Sequence, residues 1–170
     1  MADVLQTMFR EYDIRGLVNE KELNPKSVAL IGKAIGSYFR ELGIKQAIVG
    51  HDCRTSSVQF SKIIAQTLND SGIDIIDIGM VLVPIFYYSQ YLFSYKGGVY
   101  TSASHNPAEW NGFKITKDYS TTLLGGEIKD LYQRIKTGKF VSGEGKYRKE
   151  KVIEAYTKDL LKKTQYWKCY

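Results

Sequence analysis

A polar segment at residues 102–107, Ser-Ala-Ser-His-Asn-Pro, combines a hydroxyl, an imidazole and an amide that could take part in group transfer. Serine is a poor nucleophile until a base takes its proton or the acceptor bond is polarised. Adjacent side chains rarely meet in the required geometry, so Ser104 and His105 alone do not predict a hydrolase triad. The flanking glycines of a nucleophile elbow are also missing from the sequence. Taken alone, the segment favours an ordinary turn.

Two further segments carry charged or hydroxyl side chains. Residues 51–57 read His-Asp-Cys-Arg-Thr-Ser-Ser and follow a short apolar run, whereas residues 9–16 mix two arginines, two acids and a tyrosine without a clear period. Arginine can bind phosphate through two parallel hydrogen bonds. A charged, aperiodic segment is nevertheless more often a solvated loop, so each segment is a weak signal by itself.

Patterns for nucleotide and metal binding are absent from the sequence. No Gly-Lys pair has a glycine five residues earlier, and Gly-x-Gly-x-x-Gly does not occur, so a nucleotide phosphate is not supported. His51, Asp52, Cys53 and His105 lack the paired spacing of a zinc site. Cys53 lies beside Arg54, and a neighbouring cation favours the thiolate. We favour a structural reading of all these residues.

Hydrophobic periodicity and the Gly, Pro and Asn signals predict the elements that must position these segments. We expect each strand before the third to be followed by a helix, and Asn111-Gly112 to form a turn before the last strand. Residues 139–149, rich in glycine and lysine, are predicted to be a loop or linker. The predicted helices cover residues 25–42, 57–71, 84–93, 127–137 and 151–163, and the predicted strands cover 47–49, 73–78, 97–101 and 113–116.

This order predicts an α/β fold with three αβα layers and a four-stranded mixed sheet, in which three strands are parallel. The fourth strand follows too closely for a crossover and should run antiparallel. Ligands of such sheets bind beyond the carboxyl ends of the strands. Segments 51–57 and 102–107 should therefore converge there, whereas the apolar residues 80–83 at the same edge are predicted to be structural.

The composition is that of a globular chain, with 44% hydrophobic and 25% charged residues among 170. We see no membrane span and no basic, apolar leader at the start, and two cysteines make no disulfide framework, so we expect a cytoplasmic protein. The net charge of +6 comes from residues 129–170, which hold 12 Lys/Arg and 5 Asp/Glu. A solvated helix face or a surface that meets another domain explains this excess, and we do not expect nucleic-acid binding.

Four motifs in the same order and spacing resemble one known family. Residues 9–16, Phe-Arg-Glu-Tyr-Asp-Ile-Arg-Gly, are similar to the opening signature of the phosphomannomutase/phosphoglucomutase type of α-D-phosphohexomutase. Residues 49–56 resemble the first strand and Asp-x-Arg turn of that family, residues 101–107 its phosphoserine loop, and residues 111–115 the segment after it. The joint match covers about residues 9–116 and is specific, although each motif alone is weak. The joint match therefore favours a phosphoserine loop over an ordinary turn at residues 102–107.

The resemblance implies a mechanism based on a phosphoserine at Ser104. In the family, this phosphate passes to a hexose monophosphate, and the resulting hexose 1,6-bisphosphate returns its other phosphate to the serine. The resemblance also implies Mg²⁺, held by a phosphoserine oxygen and by three aspartates of a second domain, which would balance the added charge. Ser104 is thus the one expected metal contact of this chain, through its phosphate.

The same resemblance implies roles for the residues around Ser104. Tyr12, Arg15 and Lys114 would bind the substrate or its phosphates, and Lys114 is a candidate general acid/base. His105 would lie beside the phosphoryl group and, with Ser104, Lys114 and Arg15, belong to the catalytic set. Support of the serine loop would come from two further residues, Arg54 and Asn106.

The family enzymes have four domains, so the resemblance implies only the first here. We expect residues 1–150 to be the phosphoserine domain and residues 151–170 to be a linker helix and tail leading toward a second domain. The Asp-rich metal loop, the sugar-selecting loop and the last phosphate-binding loop of the family are missing from the sequence. The expected partners are a phosphohexose, its 1,6-bisphosphate and the remaining domains, and the piece alone should be inactive. A non-catalytic phosphosugar-binding or interaction module of the same fold remains the alternative.

Overall fold

A mixed sheet of seven strands forms the middle layer of the computed structural model, which describes residues 4–164. Along its main path the strands follow the order β1-β5-β4-β2-β3-β7, and β6 pairs with β5. The strands are β1 (Ile14–Leu17), β2 (Gln46–His51), β3 (Asp74–Met80), β4 (Gly97–Thr101), β5 (Trp110–Asp118), β6 (Thr121–Thr122) and β7 (Tyr147–Lys149), and the helices are α1 (Pro25–Glu41), α2 (Ser57–Asn69), α3 (Val83–Phe93), α4 (Gly125–Thr137) and α5 (Ile153–Thr164).

Helices cover both faces of this sheet because side chains alternate along its strands. On β2, Ala47 and Val49 point into a core shared with α1, α2 and α4, whereas Ile48 points into a second core with α3. Val152 extends the second core toward α5, and the rings of Tyr88 and Tyr156 pack edge to face at 5.3 Å between centroids. The α/β class and its three layers are therefore confirmed.

The predicted parallel core is present, and three strands were missed. β2 pairs in parallel with β3 and β4, and β5 runs antiparallel to β4, as expected. The count of four strands is wrong because β1, β6 and β7 extend the sheet to seven. β7 is exposed and polar throughout and β6 has two residues, so neither has a hydrophobic alternation to detect. Residues 147–149 thus belong to the sheet rather than to the predicted linker.

The expected turn at Asn111-Gly112 is also wrong, since both residues lie inside β5. Gly112 faces Arg15 of β1, and a Cβ at Gly112 would lie 2.3 Å from the Ile14 carbonyl oxygen. Glycine is needed here because the two backbones approach closely, and not because the chain reverses. The reversal occurs earlier, where the Trp110 N–H donates to the Pro107 carbonyl at 3.1 Å.

The helices begin and end near the expected residues. Asn24 caps α1 by accepting from the N–H groups of Lys26 and Ser27, with Pro25 at the first position, as the sequence indicates. No helix within residues 4–164 is long and apolar enough to cross a membrane. Cys169 and the expected tail lie outside the described residues, and the boundary at residue 150 stays a prediction.

Candidate active site

A cleft of about 910 Å³ opens at the edge of the sheet where β2 and β4 end. Four chain segments contribute to its wall, together with Lys114 from β5. Six of the residues singled out from the sequence line it, namely Tyr12, Arg15, Ser104, His105, Asn106 and Lys114. Arg54 does not line the cleft and lies behind the serine loop. The structure thus brings together segments that are separated by about ninety residues of sequence.

Ser104 occupies an exposed position in the loop after β4, with a left-handed backbone φ of 55°. Its N–H donates to Ser102 Oγ at 2.9 Å, and the Asn106 N–H donates to the Ala103 carbonyl at 3.0 Å. A left-handed conformation costs an L-residue about 1–2 kcal/mol, so these bonds must hold it in place. The result is a serine hydroxyl that projects from a tightly folded loop into the cleft.

His105 contacts the serine despite being its neighbour in sequence. Its Nδ1 lies 3.3 Å from Ser104 Oγ. The expectation that adjacent side chains fail to meet is therefore wrong here, because the left-handed turn at Ser104 brings them to the same side. An imidazole at this distance can accept or return the hydroxyl proton.

Arg54 joins the serine loop to the end of β2. Its two terminal nitrogens donate to the carbonyls of Pro107 (2.6 Å), Trp110 (3.1 Å), Ser104 (3.0 Å) and Asn106 (2.6 Å). Its Nε lies 3.3 Å from Asp52 Oδ2. The four N–H donors of the terminal nitrogens therefore all reach backbone carbonyls of residues 104–110, and Nε forms an ion pair with Asp52.

Arg15 connects the first segment to the same loop. One terminal nitrogen pairs with the Asp13 carboxylate and the other donates to Asn106 Oδ1. The Nε of Arg15 is buried and has no hydrogen-bond partner within residues 4–164. Asp13 is only 5% exposed, so its charge is balanced chiefly by this guanidinium. The pair holds a cation at the wall of the cleft beside Asn106.

Lys114 and Tyr100 face each other across β5 and β4. Lys114 lines the cleft, is half-buried, and has no ion-pair partner among residues 4–164. The Tyr100 hydroxyl donates to the Val81 carbonyl at 2.6 Å, and burial, with smaller contributions from Asp52 and Cys53, raises the pKa of Tyr100 to about 12. Tyr100 therefore forms a neutral wall, while Lys114 offers a positive charge. Tyr12, 57% exposed, also lines the cleft.

Several lining residues were missed from the sequence. Residues 80–83 were expected to be structural only, yet Leu82 and Val83 line the cleft and Leu82 is 72% exposed. A large apolar side chain just beyond a buried strand was the available signal. Asp13 lies two residues before Arg15, but the same aperiodic segment also holds Arg10 and Glu11, so the sequence does not single out this pair.

A metal site is not complete within the described residues. No group of three or more His, Cys, Asp and Glu residues in 4–164 could hold a metal ion. The residues present therefore do not form a magnesium site by themselves, and a bound ion would need ligands from elsewhere. The expected Mg²⁺ stays a prediction.

Comparison with known proteins identifies the family. Residues 6–142 match the family described as Phosphoglucomutase/phosphomannomutase, alpha/beta/alpha domain I. The chain is 38% identical over 154 residues to the phosphomannomutase/phosphoglucomutase of Pseudomonas syringae pv. tomato, covering 91% of this chain and 33% of that protein. It is 33% identical over 162 residues to the phosphoglucomutase of Neisseria meningitidis serogroup B, covering 94% of this chain and 35% of that protein.

Solved structures agree with the sequence matches. A phosphoglucomutase/phosphomannomutase family protein from Burkholderia thailandensis superimposes with a TM-score of 0.88 at 30% identity, over 94% of this chain and 36% of that one. The chain spans about a third of the length of the curated relatives it matches. The match to domain I, the identities and the shared fold confirm the resemblance, and the chain belongs to the phosphoglucomutase/phosphomannomutase family.

Proposed function

We propose that this chain carries the phosphoryl group of a hexose phosphate mutase on Ser104. The observation that carries the proposal is the convergence on one cleft of an exposed serine hydroxyl, an imidazole 3.3 Å from it, and the cations Arg15 and Lys114. Transfer of a phosphoryl group needs positioning and compensation of negative charge more than covalent chemistry by the protein. The cleft supplies both.

The proposed step loads the serine from a hexose 1,6-bisphosphate. A bond forms between Ser104 Oγ and phosphorus, the bond from phosphorus to one sugar oxygen breaks, and that oxygen leaves with the bonding electrons. The serine proton moves to His105 and is delivered from there to the leaving oxygen, while the Lys114 ammonium keeps its proton and compensates phosphate charge, so charge and protons balance. In the reverse direction the serine phosphate passes to a hexose monophosphate. The sum of the two steps interconverts hexose 1-phosphate and 6-phosphate.

The remaining roles follow from charge and position. Arg15 and Lys114 would bind phosphate oxygens, and the exposed ring of Tyr12 would contact the sugar or its phosphate. Arg54 and Asn106 would hold the serine loop. Mg²⁺, if bound by the serine phosphate and carboxylates from outside residues 4–164, would supply further charge compensation. We also propose that other domains complete the site, that the chain is inactive alone, and that it works in the cytoplasm.

Radiolabel transfer tests this function and separates it from a phosphosugar-binding module of the same fold. The protein is incubated with glucose 1,6-bisphosphate labelled in its phosphates, alone and with the remaining two-thirds of the Pseudomonas syringae relative, and protein-bound label is counted. With the remaining domains present, we expect label on the wild type that unlabelled glucose 6-phosphate removes. Ser104→Ala should take up none, and Ser102→Ala, which keeps the reacting hydroxyl, should be labelled. Binding of the sugar phosphate without any labelling would favour the binding module.

A further inference from the structure

A buried chain of hydrogen bonds begins at Asn111, a residue that the sequence suggested was part of a turn. The Gly112 N–H donates to Asn111 Oδ1 at 2.8 Å, which fixes the orientation of the side-chain amide. The amide nitrogen therefore faces α2, where it donates to Ser56 Oγ at 2.7 Å and to Ser57 Oγ at 3.0 Å. Asn111 is fully buried, so these partners make the hydrogen bonds that water would make to an exposed amide.

Ser57 links the Asn111 amide to the Asp52 carboxylate through its hydroxyl. Its hydroxyl accepts from Asn111 and has a single proton to give, which it donates to Asp52 Oδ1 at 2.6 Å. Ser57 is fully buried, and a hydrogen bond from a hydroxyl to a carboxylate is stronger than one between neutral groups. Ser56, in contrast, has no contact with Asp52 and is half-buried.

Asp52 in turn orients Arg54. Its Oδ1 accepts the Arg54 N–H at 3.0 Å, and its Oδ2 lies 3.3 Å from Arg54 Nε. A guanidinium fixed at Nε has both terminal nitrogens fixed in direction, because the group is planar. Those nitrogens hold the carbonyls of residues 104–110, including that of Ser104 at 3.0 Å.

We propose that Ser57 and Asn111 are positioning residues for transfer to Ser104, acting through Asp52 and Arg54. Neither lines the cleft, so neither can touch the substrate. They act on the backbone that carries the serine hydroxyl. This backbone lies at the end of a continuous series of contacts that runs from β5 to the loop after β4. The expected effect on the rate of Ser104 labelling rests on the proposed function of Ser104. The expected effect on the backbone of the serine loop does not.

Ser57→Ala tests the inference, with Ser56→Ala as a matched control. Both variants remove a hydroxyl that accepts from Asn111, and only Ser57→Ala breaks the link to Asp52. A displacement of about 1 Å at a reacting group costs on the order of 100-fold in rate. We expect Ser57→Ala to slow labelling of Ser104 at saturating bisphosphate by roughly 10–100-fold, with the half-saturating bisphosphate concentration nearly unchanged. Ser56→Ala should stay near the wild-type rate, and Ser57→Thr, which keeps a hydroxyl, should recover most of the loss.

Amide hydrogen exchange separates failure of this inference from failure of the proposed function. Even if Ser104 takes up no phosphate, Ser57→Ala should speed exchange of the Ser102 and Asn106 amides by about tenfold or more, whereas Ser56→Ala should not. Equal labelling rates and equal exchange in the two variants would overturn the inference. Should Ser57→Ala not fold, Asp52→Asn weakens the same chain one bond later and is expected to give the same changes.

Discussion

Arg54→Lys removes the geometry of the guanidinium while it keeps the positive charge. The guanidinium donates four hydrogen bonds to carbonyls of the serine loop, and its Nε forms an ion pair with Asp52. A lysine ammonium has three donors and no planar fork. At least one of the four carbonyls must therefore lose its hydrogen bond.

The expected loss follows from the number of bonds and their exposure. A hydrogen bond that involves a charged group contributes about 1.5–3 kcal/mol net, so one lost bond gives a change of that size. Ser104 and Pro107 are exposed, so water can replace part of the loss at their carbonyls, whereas Arg54 itself has only 13% of its side chain exposed. We expect the free energy of unfolding to fall by about 2 kcal/mol, which lowers Tm by roughly 4–8 °C in a domain of this size.

The assay is thermal unfolding followed by circular dichroism, with amide exchange of the loop beside it. The Ser102, Asn106 and Trp110 amides, which are hydrogen-bonded within or next to the loop, should exchange roughly 30-fold faster for a change of about 2 kcal/mol. Arg40→Lys is the control, because Arg40 also donates to backbone carbonyls, but at 3.3 and 3.4 Å. If Arg54→Lys behaves like Arg40→Lys in both measurements, the loop holds its shape without Arg54 and the reasoning is refuted.

Three other substitutions probe the backbone and the wall of the cleft. Ser104→Gly should be more stable than Ser104→Ala by about 1 kcal/mol in urea unfolding, because position 104 has a φ of 55° that glycine adopts without strain; equal stabilities would argue against the left-handed loop. By the same method, Gly112→Ala should lower the free energy of unfolding by more than about 2 kcal/mol, since its Cβ would lie 2.3 Å from the Ile14 oxygen. Gly126→Ala is the control and should change it little, because a Cβ there meets open space. The pKa of Tyr100 is near 10 in the unfolded chain and is raised to about 12 in the folded chain. The unfolded chain therefore loses this proton first, and the free energy of unfolding should fall as pH rises between these values. Tyr100→Phe should make that fall shallower, and an unchanged slope would show that the phenol titrates normally.

The sequence predicts the parallel core well because its strands are buried and its helices are bounded by residues such as Pro25, Pro84 and Gly138. Runs such as residues 97–101, all buried, have no polar alternation and are bounded by glycine or polar residues. The sequence does not indicate β1, because a strand of four residues next to charged residues is too short to show an alternation of apolar and polar side chains. Asn111-Gly112 was read as a turn because the pair has the right chemistry for one, while the close approach of β1 that requires the glycine is a tertiary contact.

Six residues of the cleft, and the support of the serine loop by Arg54, were expected from the four motifs, whereas the individual hydrogen bonds were not. Ser104, Arg15 and Lys114 line one cleft. Convergence at the carboxyl ends of parallel strands predicts this for the serine loop, and the family resemblance implies it for Arg15 and Lys114. The Asn111 side chain bonds to the Ser57 side chain, and the Arg54 side chain bonds to backbone carbonyls of residues 104–110; in both cases the partners are about fifty residues apart. No local pattern encodes such partners, since they depend on the register between β4 and β5 and on where α2 begins.

The most direct test of the central claim is to locate the phosphate on the chain. After incubation with glucose 1,6-bisphosphate and the remaining two-thirds of the Pseudomonas syringae relative, tryptic cleavage yields the peptide of residues 97–114, which contains Thr101, Ser102 and Ser104, and fragmentation in a mass spectrometer distinguishes the three. We predict a single phosphate on Ser104 that disappears when glucose 6-phosphate is added. A phosphate on Thr101 or Ser102, or one on Ser104 that the sugar phosphate cannot remove, would contradict the account.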